Sequence, residues 1–218
     1  MSITPGFTGG TLDRADRVRH EPERLAAALA DPGARLLVLD ALDPVLDDAG
    51  RLTWTSLDAA RGDLLFLGYE AGAPRFASAL PDGEAVPMGR SPAMFSLLDR
   101  FAAPDAAHYA AARSLVFWHG RHRFCANCGA ATVAAEGGHV RQCTNPACNS
   151  QHFPRTDPAV IMLVTHGDKA FLARNKRFPF PMYSTLAGFV EPGESLEETV
   201  AREVYEESGL HEIGRAHV

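Results

Sequence analysis

The chain has 218 residues, of which 46% are hydrophobic and 22% charged, and its formal net charge is −6. This composition is ordinary for a globular protein, and the length allows two small domains with an additional metal module. The acidic balance argues against broad, charge-driven binding of nucleic acid. No apolar run approaches the length of a membrane span, and the polar, glycine-rich N-terminus is unlike a signal peptide.

The first 118 residues predict an N-terminal α+β domain, preceded by a loose tail over residues 1–20. Hydrophobic patterns predict these elements in chain order: a helix over 22–30, a strand over 35–39, a turn-rich loop over 40–51, strands over 64–69 and 74–77, and a helix over 105–119. We expect Trp54 and Trp118 to pack in the interior. No motif in this domain points to a chemical reaction.

The four cysteines lie in one window as two short pairs: Cys125, Cys128, Cys143 and Cys148. Two such pairs, joined here by a spacer of 14 residues, are typical of a zinc ribbon. Gly129 and Asn149 follow the pairs and suit tight knuckle turns. Two disulfides are the alternative, but the chain has neither a secretory signal nor another cysteine. We therefore predict a closed, structural zinc site in a ribbon over residues 121–153.

Histidines and arginines surround the cysteines. We assign no ligand role to the histidines and expect most of them at the surface: His119, His122, His139 and His152. Arg113, Arg121 and Arg123 make a basic approach to the ribbon. This approach is interpreted either as a surface for substrate phosphates or as a solvated linker, and the sequence favours neither.

Beyond the ribbon, the sequence predicts these elements: a strand over 159–165, a hairpin turn at 167–168, a partner strand over 169–173, an irregular loop over 178–182 and a helix over 196–208. Ser195 can cap this helix, and Glu198 stands three residues on, as in a capping box. Gly209 is a typical residue just beyond a helix end. The predicted apolar stripe of the helix consists of Leu196, Val200 and Val204.

Three glutamates of this helix lie close together: Glu203, Glu206 and Glu207. Clustered carboxylates repel each other unless a cation lies among them, and oxygen ligands suit Mg²⁺ or Mn²⁺. The alternative is a solvated acidic helix with surface ion pairs. However, Glu203 and Glu207 fall within about 20° of Leu196 on a helical projection, on the apolar side. We therefore predict a metal site, with Arg202 orienting Glu194 or Glu206.

Residues 188–210, GFVEPGESLEETVAREVYEESGL, match the Nudix box, G-x5-E-x7-R-E-U-x-E-E-x-G-U, in which U is a bulky aliphatic residue. The fixed places are filled by Gly188, Glu194, Arg202, Glu203, Val204, Glu206, Glu207, Gly209 and Leu210. The chain thus resembles the Nudix hydrolase superfamily, which implies a mixed α/β/α sandwich and metal-dependent cleavage of a diphosphate linked to a nucleoside. The resemblance also implies that the carbonyl of Ala187 helps to bind the metal and that the box residues are catalytic, with Glu206 or Glu207 as base.

A zinc ribbon directly before a Nudix box resembles the NADH pyrophosphatase family, as do the segments HFPRTDPAVIMLV (152–164) and MYSTLAGFVEPGE (182–194). This resemblance implies cleavage of NADH or NAD⁺ to a nicotinamide mononucleotide and AMP. It also implies that Phe153 stacks on the dinucleotide, although an aromatic residue at this place can equally belong to the core. A homodimer is implied for the full-length protein, and reduced cysteines with a nucleotide substrate fit the cytoplasm.

Several functions remain open on the sequence. The same bond could be cleaved in an NAD cap at an RNA end, or in another nucleoside diphosphate derivative. A non-catalytic zinc-ribbon binding module is the alternative from a different class. An intact box argues against it, because a retired enzyme has no physical need for three clustered carboxylates.

The end of the chain gives a further expectation. Residues 156–211 are too few for a complete Nudix sandwich, and the family motif S-Q-P-W-P-F-P-x-S, which follows the box, is not in the chain. Residues 212–218, EIGRAHV, can be read as the translation of a common sequencing adapter. We expect a C-terminally truncated Nudix domain with a non-native tail over 212–218. The family activity therefore describes the full protein, and the activity of this chain is a separate matter.

Overall fold

The computed structural model describes residues 7–87, 103–176 and 181–214. The chain is mixed α and β, as the sequence predicts, and it divides into two compact units, Met1–Pro154 and Arg155–Val218. The domain boundaries predicted at 118, 121 and 153 remain a prediction. Nowhere in the described parts of the chain is a helix both long and apolar enough to cross a membrane.

The first unit is built on a four-stranded sheet. Its strands and a neighbouring hairpin are β1 Arg35–Leu37, β2 Leu39–Asp40, β3 Asp43–Pro44, β4 Trp54–Thr55, β5 Leu64–Glu70 and β6 Ala73–Ser78. The helices are α1 Asp16–His20, α2 Pro22–Ala30 and α3 Ala103–Arg121. The sheet order is β4-β1-β6-β5, with β1 and β6 parallel and the other pairs antiparallel, while β2 and β3 pair separately.

The core of this unit follows the alternation of side chains along β5. Leu65 and Leu67 are completely buried and belong to a cluster with residues of α3, including Tyr109. Phe66, between them, is equally buried but packs with Phe76 and with residues of α1 and α2. Because successive strand residues point to opposite faces, one apolar strand supplies both layers of the core.

The prediction of a loose tail over residues 1–20 is wrong for its second half, residues 11–20. Asp13 and Tyr69 exchange two backbone hydrogen bonds of 2.8 and 2.9 Å, and Val18 on α1 is buried. A register shift of β5 between Phe66 and Gly68 makes room for this strand-like contact. Gly68 has φ of +134°, and a Cβ there would lie 2.2 Å from the Asp13 carbonyl oxygen. Residues 1–6 lie outside the described residues.

Other predicted boundaries shift by a few residues. The strand predicted over 35–39 is broken at Val38, whose N–H donates instead to the carbonyl of Thr53 at 3.0 Å. The loop predicted over 40–51 contains β3, and α3 is longer than predicted. Trp118 is buried, and Trp54 packs against the core, as expected.

The zinc-ribbon segment continues from α3 and belongs to the same compact unit. It forms a three-stranded antiparallel sheet from β7 Thr132–Ala135, β8 Val140–Cys143 and β9 Gln151–His152. A short turn of 3₁₀ helix, Glu136–Gly138, lies against β5. A Cβ on Gly138 would stand 2.5 Å from Leu65 Cδ2. Glycine therefore allows the ribbon to pack closely on the N-terminal core.

The second unit holds two strand pairs and the box helix. Its elements are β10 Ala159–Met162, β11 Val164–His166, β12 Lys169–Phe171, β13 Leu186–Phe189 and α4 Leu196–Ser208. β10 pairs with β13 and β11 with β12, both antiparallel. The buried core consists of Met162, Leu186 and Val204.

Two expectations for this unit need correction, and one lies partly outside the described residues. The strand predicted over 159–165 is interrupted at Leu163, which separates β10 from β11. Leu196 is 55% exposed, so it does not contribute to a buried stripe; the buried side chains of α4 are Thr199 and Val204. Thr199 is buried although it is polar, because its hydroxyl forms hydrogen bonds with Glu194 and with the carbonyl of Ser195. Of the loop predicted over 178–182, residues 178–180 lie outside the described residues.

Candidate zinc centre and acidic box site

The two cysteine pairs converge on one point of the ribbon. All four Sγ atoms lie within 4.8 Å of one another, and among the described residues this is the group of potential metal ligands that gathers in this way. The Sγ–Sγ distances are 3.8 Å for Cys125 and Cys148 and 3.5 Å for Cys128 and Cys143. A tetrahedral zinc with Zn–S bonds of about 2.3 Å requires sulfurs roughly 3.8 Å apart. The four cysteines therefore fit a structural zinc ion.

Backbone turns create this arrangement from residues close in sequence. The N–H of Asn127 points at Cys125 Sγ and the N–H of Asn145 at Cys143 Sγ, each at 3.4 Å. Gly129 and Asn149 adopt positive φ of 77° and 47°. These are the tight knuckle turns that the sequence predicts after each pair. The N–H of Asn145 opposes the burial that raises the pKa of the Cys143 thiol.

The histidines around the ribbon are less exposed than predicted. His119 is almost completely buried, with Nε2 2.7 Å from the carbonyl oxygen of Gly138. His139 donates from Nε2 to the carbonyl of Phe66 at 2.8 Å, and burial lowers its pKa to about 4. Both residues tie the ribbon to the N-terminal core. Sequence reasoning missed this role because each partner lies 19 to 73 residues away along the chain.

The other two histidines have local contacts. His122 Nδ1 lies 2.9 Å from the carbonyl oxygen of Trp118, one helical turn before it. His152 Nε2 lies 3.2 Å from Cys125 Sγ, so it contacts the zinc ligands from outside the set of four. A ring N–H donated to a ligating sulfur orients that ligand and tunes its charge.

The box helix α4 begins and ends as predicted. The N–H of Glu198 donates to Ser195 Oγ at 3.2 Å, and the N–H of Ser195 donates to Glu198 Oε2 at 2.7 Å. These reciprocal bonds form a complete capping box. At the other end, Gly209 has φ of 70° and donates its N–H to the carbonyl of Tyr205. Both caps arise within a few residues of sequence.

Arg202 is the centre of the box site. Its guanidinium contacts Glu194 at 2.7 and 3.0 Å, Glu203 at 2.9 Å and Glu206 at 3.1 Å. It also donates to the carbonyl of Phe189 at 3.0 Å. Its hydrogen bonds are the main cause that lowers the pKa of Glu194 to about 2, and the carboxylates in turn raise the pKa of Arg202. Arg202 thus contacts both residues that it was expected to orient, and Glu203 as well.

Gly188 has a role that the spacing alone does not reveal. A Cβ at this position would lie 1.9 Å from Cδ and 2.0 Å from Oε1 of Glu203. The first glycine of the box is therefore the surface against which the Glu203 carboxylate lies. No side chain other than hydrogen leaves this space.

Thr199 is a further residue of the site that sequence reasoning missed. It is completely buried, and its Oγ1 donates to Glu194 Oε2 at 3.0 Å and lies 3.0 Å from the carbonyl oxygen of Ser195. The box pattern leaves this position free, so no signal in the pattern points to it. The hydroxyl supports the carboxylate that Arg202 holds from its other side.

The residues expected to bind Mg²⁺ or Mn²⁺ are only partly brought together. Ala187 lies on β13 opposite Ile161, Glu207 is exposed, and Glu206 is 57% exposed. Among the described residues, the helix carboxylates do not gather as the cysteine sulfurs do. Carboxylates repel one another, and the positive charge beside Glu203 and Glu206 is here that of Arg202. The metal assignment remains a prediction.

Phe153 follows β9 directly and its side chain is 58% exposed. The ring is therefore not part of the core, which was one of the two interpretations of this residue. Its predicted stacking on a dinucleotide remains a prediction.

Comparison with known protein families bears on both parts of the chain. Residues 121–153 match the NADH pyrophosphatase zinc ribbon domain, and residues 155–217 match the NUDIX domain. The chain thus contains a zinc ribbon followed by a Nudix domain. This is the order of the two domains that the sequence predicts.

Relatives of this chain match it over different lengths. NAD-capped RNA hydrolase NudC of Mycobacterium tuberculosis is 41% identical over 213 residues, which cover 91% of this chain and 65% of that protein. NAD-capped RNA hydrolase NUDT12 of Homo sapiens is 47% identical over 127 residues, 55% of this chain and 27% of that protein. Nudix hydrolase 19, chloroplastic, of Arabidopsis thaliana is 46% identical over 118 residues. The chain thus spans about a quarter to two thirds of the length of these relatives.

Proposed function

We propose that the whole protein hydrolyses the diphosphate bond of NADH or NAD⁺, free or as the cap of an RNA, and releases a nicotinamide mononucleotide. The observation that carries the proposal is the contact of one guanidinium, that of Arg202, with three box carboxylates. The match to an NADH pyrophosphatase zinc ribbon supports the substrate class. The names of the human and mycobacterial relatives favour an NAD-capped RNA among the substrates.

The acidic box would hold Mg²⁺ or Mn²⁺ through Glu203, Glu206 and Glu207, with the carbonyl of Ala187 as a further oxygen ligand. An all-oxygen donor set suits these hard ions. When bound, such an ion neutralises the diphosphate, polarises phosphorus and makes a water molecule more acidic. Because four ligands come from the chain, the remaining positions are open to water and substrate phosphates.

The protein side chains would have separate tasks. Glu206 or Glu207, both exposed, would accept the proton of the attacking water. Arg202 would orient Glu203 and Glu194, and its contacts keep Glu194 ionised by lowering the pKa of that carboxyl to about 2. Phe153, with an exposed ring, would stack on a base of the dinucleotide. A cytoplasmic location and a homodimer of the full-length protein complete the proposal.

The test is product analysis with the whole protein, incubated separately with NADH and with an NAD-capped RNA in Mg²⁺ or Mn²⁺. We expect the reduced mononucleotide and AMP from NADH, and a 5′-monophosphate RNA from the capped substrate. Glu207→Gln should lower the rate about 100-fold or more if it removes the base or a metal ligand. Glu197→Gln, an exposed glutamate in the first turn of the same helix, is the matched control and should retain activity.

Two results would contradict the proposal. One is that both substrates stay intact with either metal. The other is that Glu207→Gln and Glu197→Gln cleave NADH equally fast, because the box would then not be the reaction centre.

A further inference from the structure

A polar cavity of about 380 Å³ lies within the first unit, between the ribbon sheet and the end of β6. Three arginines, one histidine and two aspartates are among its lining residues: Arg61, Arg123, Arg141, His119, Asp63 and Asp82. Cavities that bind small ligands in proteins begin at about 300 Å³. The cavity is therefore large enough for a ligand, and its lining is charged.

Arg141 is a buried cation at this cavity. The residue is only 8% exposed. Its guanidinium donates to Oγ1 of Thr132 at 2.7 Å and to the carbonyl oxygen of Thr132 at 2.6 Å. The third contact is with Nδ1 of His119 at 2.8 Å. Nε2 of that ring faces the carbonyl oxygen of Gly138, so Nε2 carries the proton and Nδ1 accepts from Arg141. The histidine is thus neutral and adds no compensating charge.

In the part of the chain that the structure describes, Arg141 and Arg123 both lack an ion-pair partner. Within residues 7–87, 103–176 and 181–214, no carboxylate oxygen lies within 4.0 Å of either guanidinium. Arg123 donates only to the backbone carbonyls of Pro81 and Glu84, at 3.2 and 2.9 Å. Arg61 differs, since it pairs with the Glu84 carboxylate at 2.6 Å. Arg141 is buried and Arg123 is half-buried. A buried charge without an ion pair is costly, so Arg141 in particular requires another explanation.

Asp63 and Asp82 act on Arg141 from a greater distance. Their charges raise the pKa of Arg141, opposing the burial that lowers it. Both line the same cavity, and among the described residues neither aspartate forms a salt bridge. The cavity therefore offers guanidinium donors together with carboxylate acceptors. This is a mixed environment, and a bare polyanion would meet repulsion from the two aspartates.

We propose that this cavity binds a phosphorylated sugar, with the phosphate against Arg123 and Arg141 and sugar hydroxyls donating to Asp63 or Asp82. The planar fork of arginine matches phosphate oxygens, and the phosphate supplies the missing negative charge. Hydroxyl groups are donors that carboxylates accept without a change of charge. The site lies wholly within the first unit and does not rest on the hydrolysis proposed above.

The test is calorimetric titration of the zinc-loaded chain with ribose 5-phosphate, without Mg²⁺ or Mn²⁺. We expect saturable binding of one molecule per chain. Arg123→Gln should weaken it about tenfold or more, because one charge-assisted contact is lost. Arg35→Gln is the matched control, since Arg35 also donates to two backbone carbonyls but does not line the cavity. Glu207→Gln should bind as the unchanged protein does, which separates this site from the acidic box.

A second measurement needs no variant. Ribose 5-phosphate should slow the modification of Arg123 by phenylglyoxal, as followed by mass spectrometry, and leave the modification of Arg35 unchanged. The proposal is overturned if no saturable binding is found, or if Glu207→Gln removes binding while Arg123→Gln retains it. Inorganic phosphate that binds as tightly as ribose 5-phosphate would overturn the assignment of a sugar to the two aspartates.

Discussion

The zinc ribbon and the box helix both carry several potential metal ligands of one kind, cysteines in the ribbon and glutamates in the helix, but the structure arranges them differently. Four cysteine sulfurs converge to within 4.8 Å, whereas the glutamates of the box do not form such a group among the described residues. An ordinary thiol has a pKa of about 8.5 and is mostly neutral near pH 7, so thiols repel one another less than carboxylates do. In the ribbon, burial raises the pKa of Cys143, while hydrogen bonding to Ser150 lowers that of Cys148 to about 7. Carboxylates are already charged at this pH and need a cation.

In the box that cation is Arg202. One guanidinium contacts Glu194, Glu203 and Glu206. In the ribbon, order comes instead from backbone turns and from N–H groups aimed at sulfur. The difference suggests that the ribbon depends on its metal, whereas the box depends on Arg202 and on the space that Gly188 leaves.

The largest expected effect is the loss of zinc. Cys143→Ser should unfold the ribbon, because structural zinc contributes roughly 10–16 kcal/mol in small zinc modules. The measurement is zinc content together with amide hydrogen exchange of β7 and β8. Since His139 and His119 tie the ribbon to the N-terminal core, exchange in β5 should also rise.

Thr144→Val, a change of an exposed threonine in the same ribbon, serves as the control and should retain one zinc per chain. Full protection of β8 in a zinc-free Cys143→Ser protein would show that the ribbon does not need its metal. The ribbon and the box would then both be organised by protein contacts and not by a metal ion.

A smaller effect is expected from Gly188→Ala in the box. The new methyl group would occupy the place of the Glu203 carboxylate, which must move away from β13. Displacement of a ligating group or its support typically lowers metal affinity or activity about 10- to 100-fold. Mn²⁺ binding to the whole protein, followed by electron paramagnetic resonance, measures this change.

Ala201→Ser, on the exposed side of α4, is the control for a small change near the site. Unaltered Mn²⁺ affinity in Gly188→Ala would contradict the role of Glu203 as a metal ligand. The zinc content of the ribbon should be the same in all three proteins, because the box lies in the other unit.

The smallest expected effect is a difference between the two units in the pH at which they lose stability. The pKa of His139 is lowered from its usual 6.5 to about 4, so the folded first unit takes up this proton less readily than the unfolded chain. The stability that His139 contributes to this unit is therefore fully present above pH 6.5 and is lost as the pH falls towards 4. The pKa of Glu194 is lowered from 4.5 to about 2, so its contribution to the second unit is lost only between these values.

Amide exchange measured from pH 7 downwards should therefore show β5 and β8 losing protection before β13 and α4. In His139→Gln, which retains a donor but does not titrate, the decline of the first unit above pH 4 should become shallower. If β13 and α4 lose protection first, the assignment of the two pH ranges is wrong.

Much of the local structure could be predicted because it depends on near neighbours. The capping box of Ser195 and Glu198, the cap at Gly209 and the knuckle turns at Gly129 and Asn149 all form within about five residues. Their hydrogen bonds require little chain closure, so the residue types and their spacing are sufficient evidence. The match of the chain to a zinc ribbon and a Nudix domain follows from the same kind of short-range pattern.

The longer contacts could not be predicted in this way. Asp13 pairs with Tyr69, His139 with Phe66, and Arg123 with carbonyls about 40 residues away. Each depends on which faces of the sheet pack together, and this is decided by the whole set of buried side chains. Sequence by itself therefore determined the turns, the helix caps and the kinds of ligand, because these need only adjacent residues. Tertiary structure alone decided which polar groups are buried, and hence that Arg141 has no ion pair among the described residues.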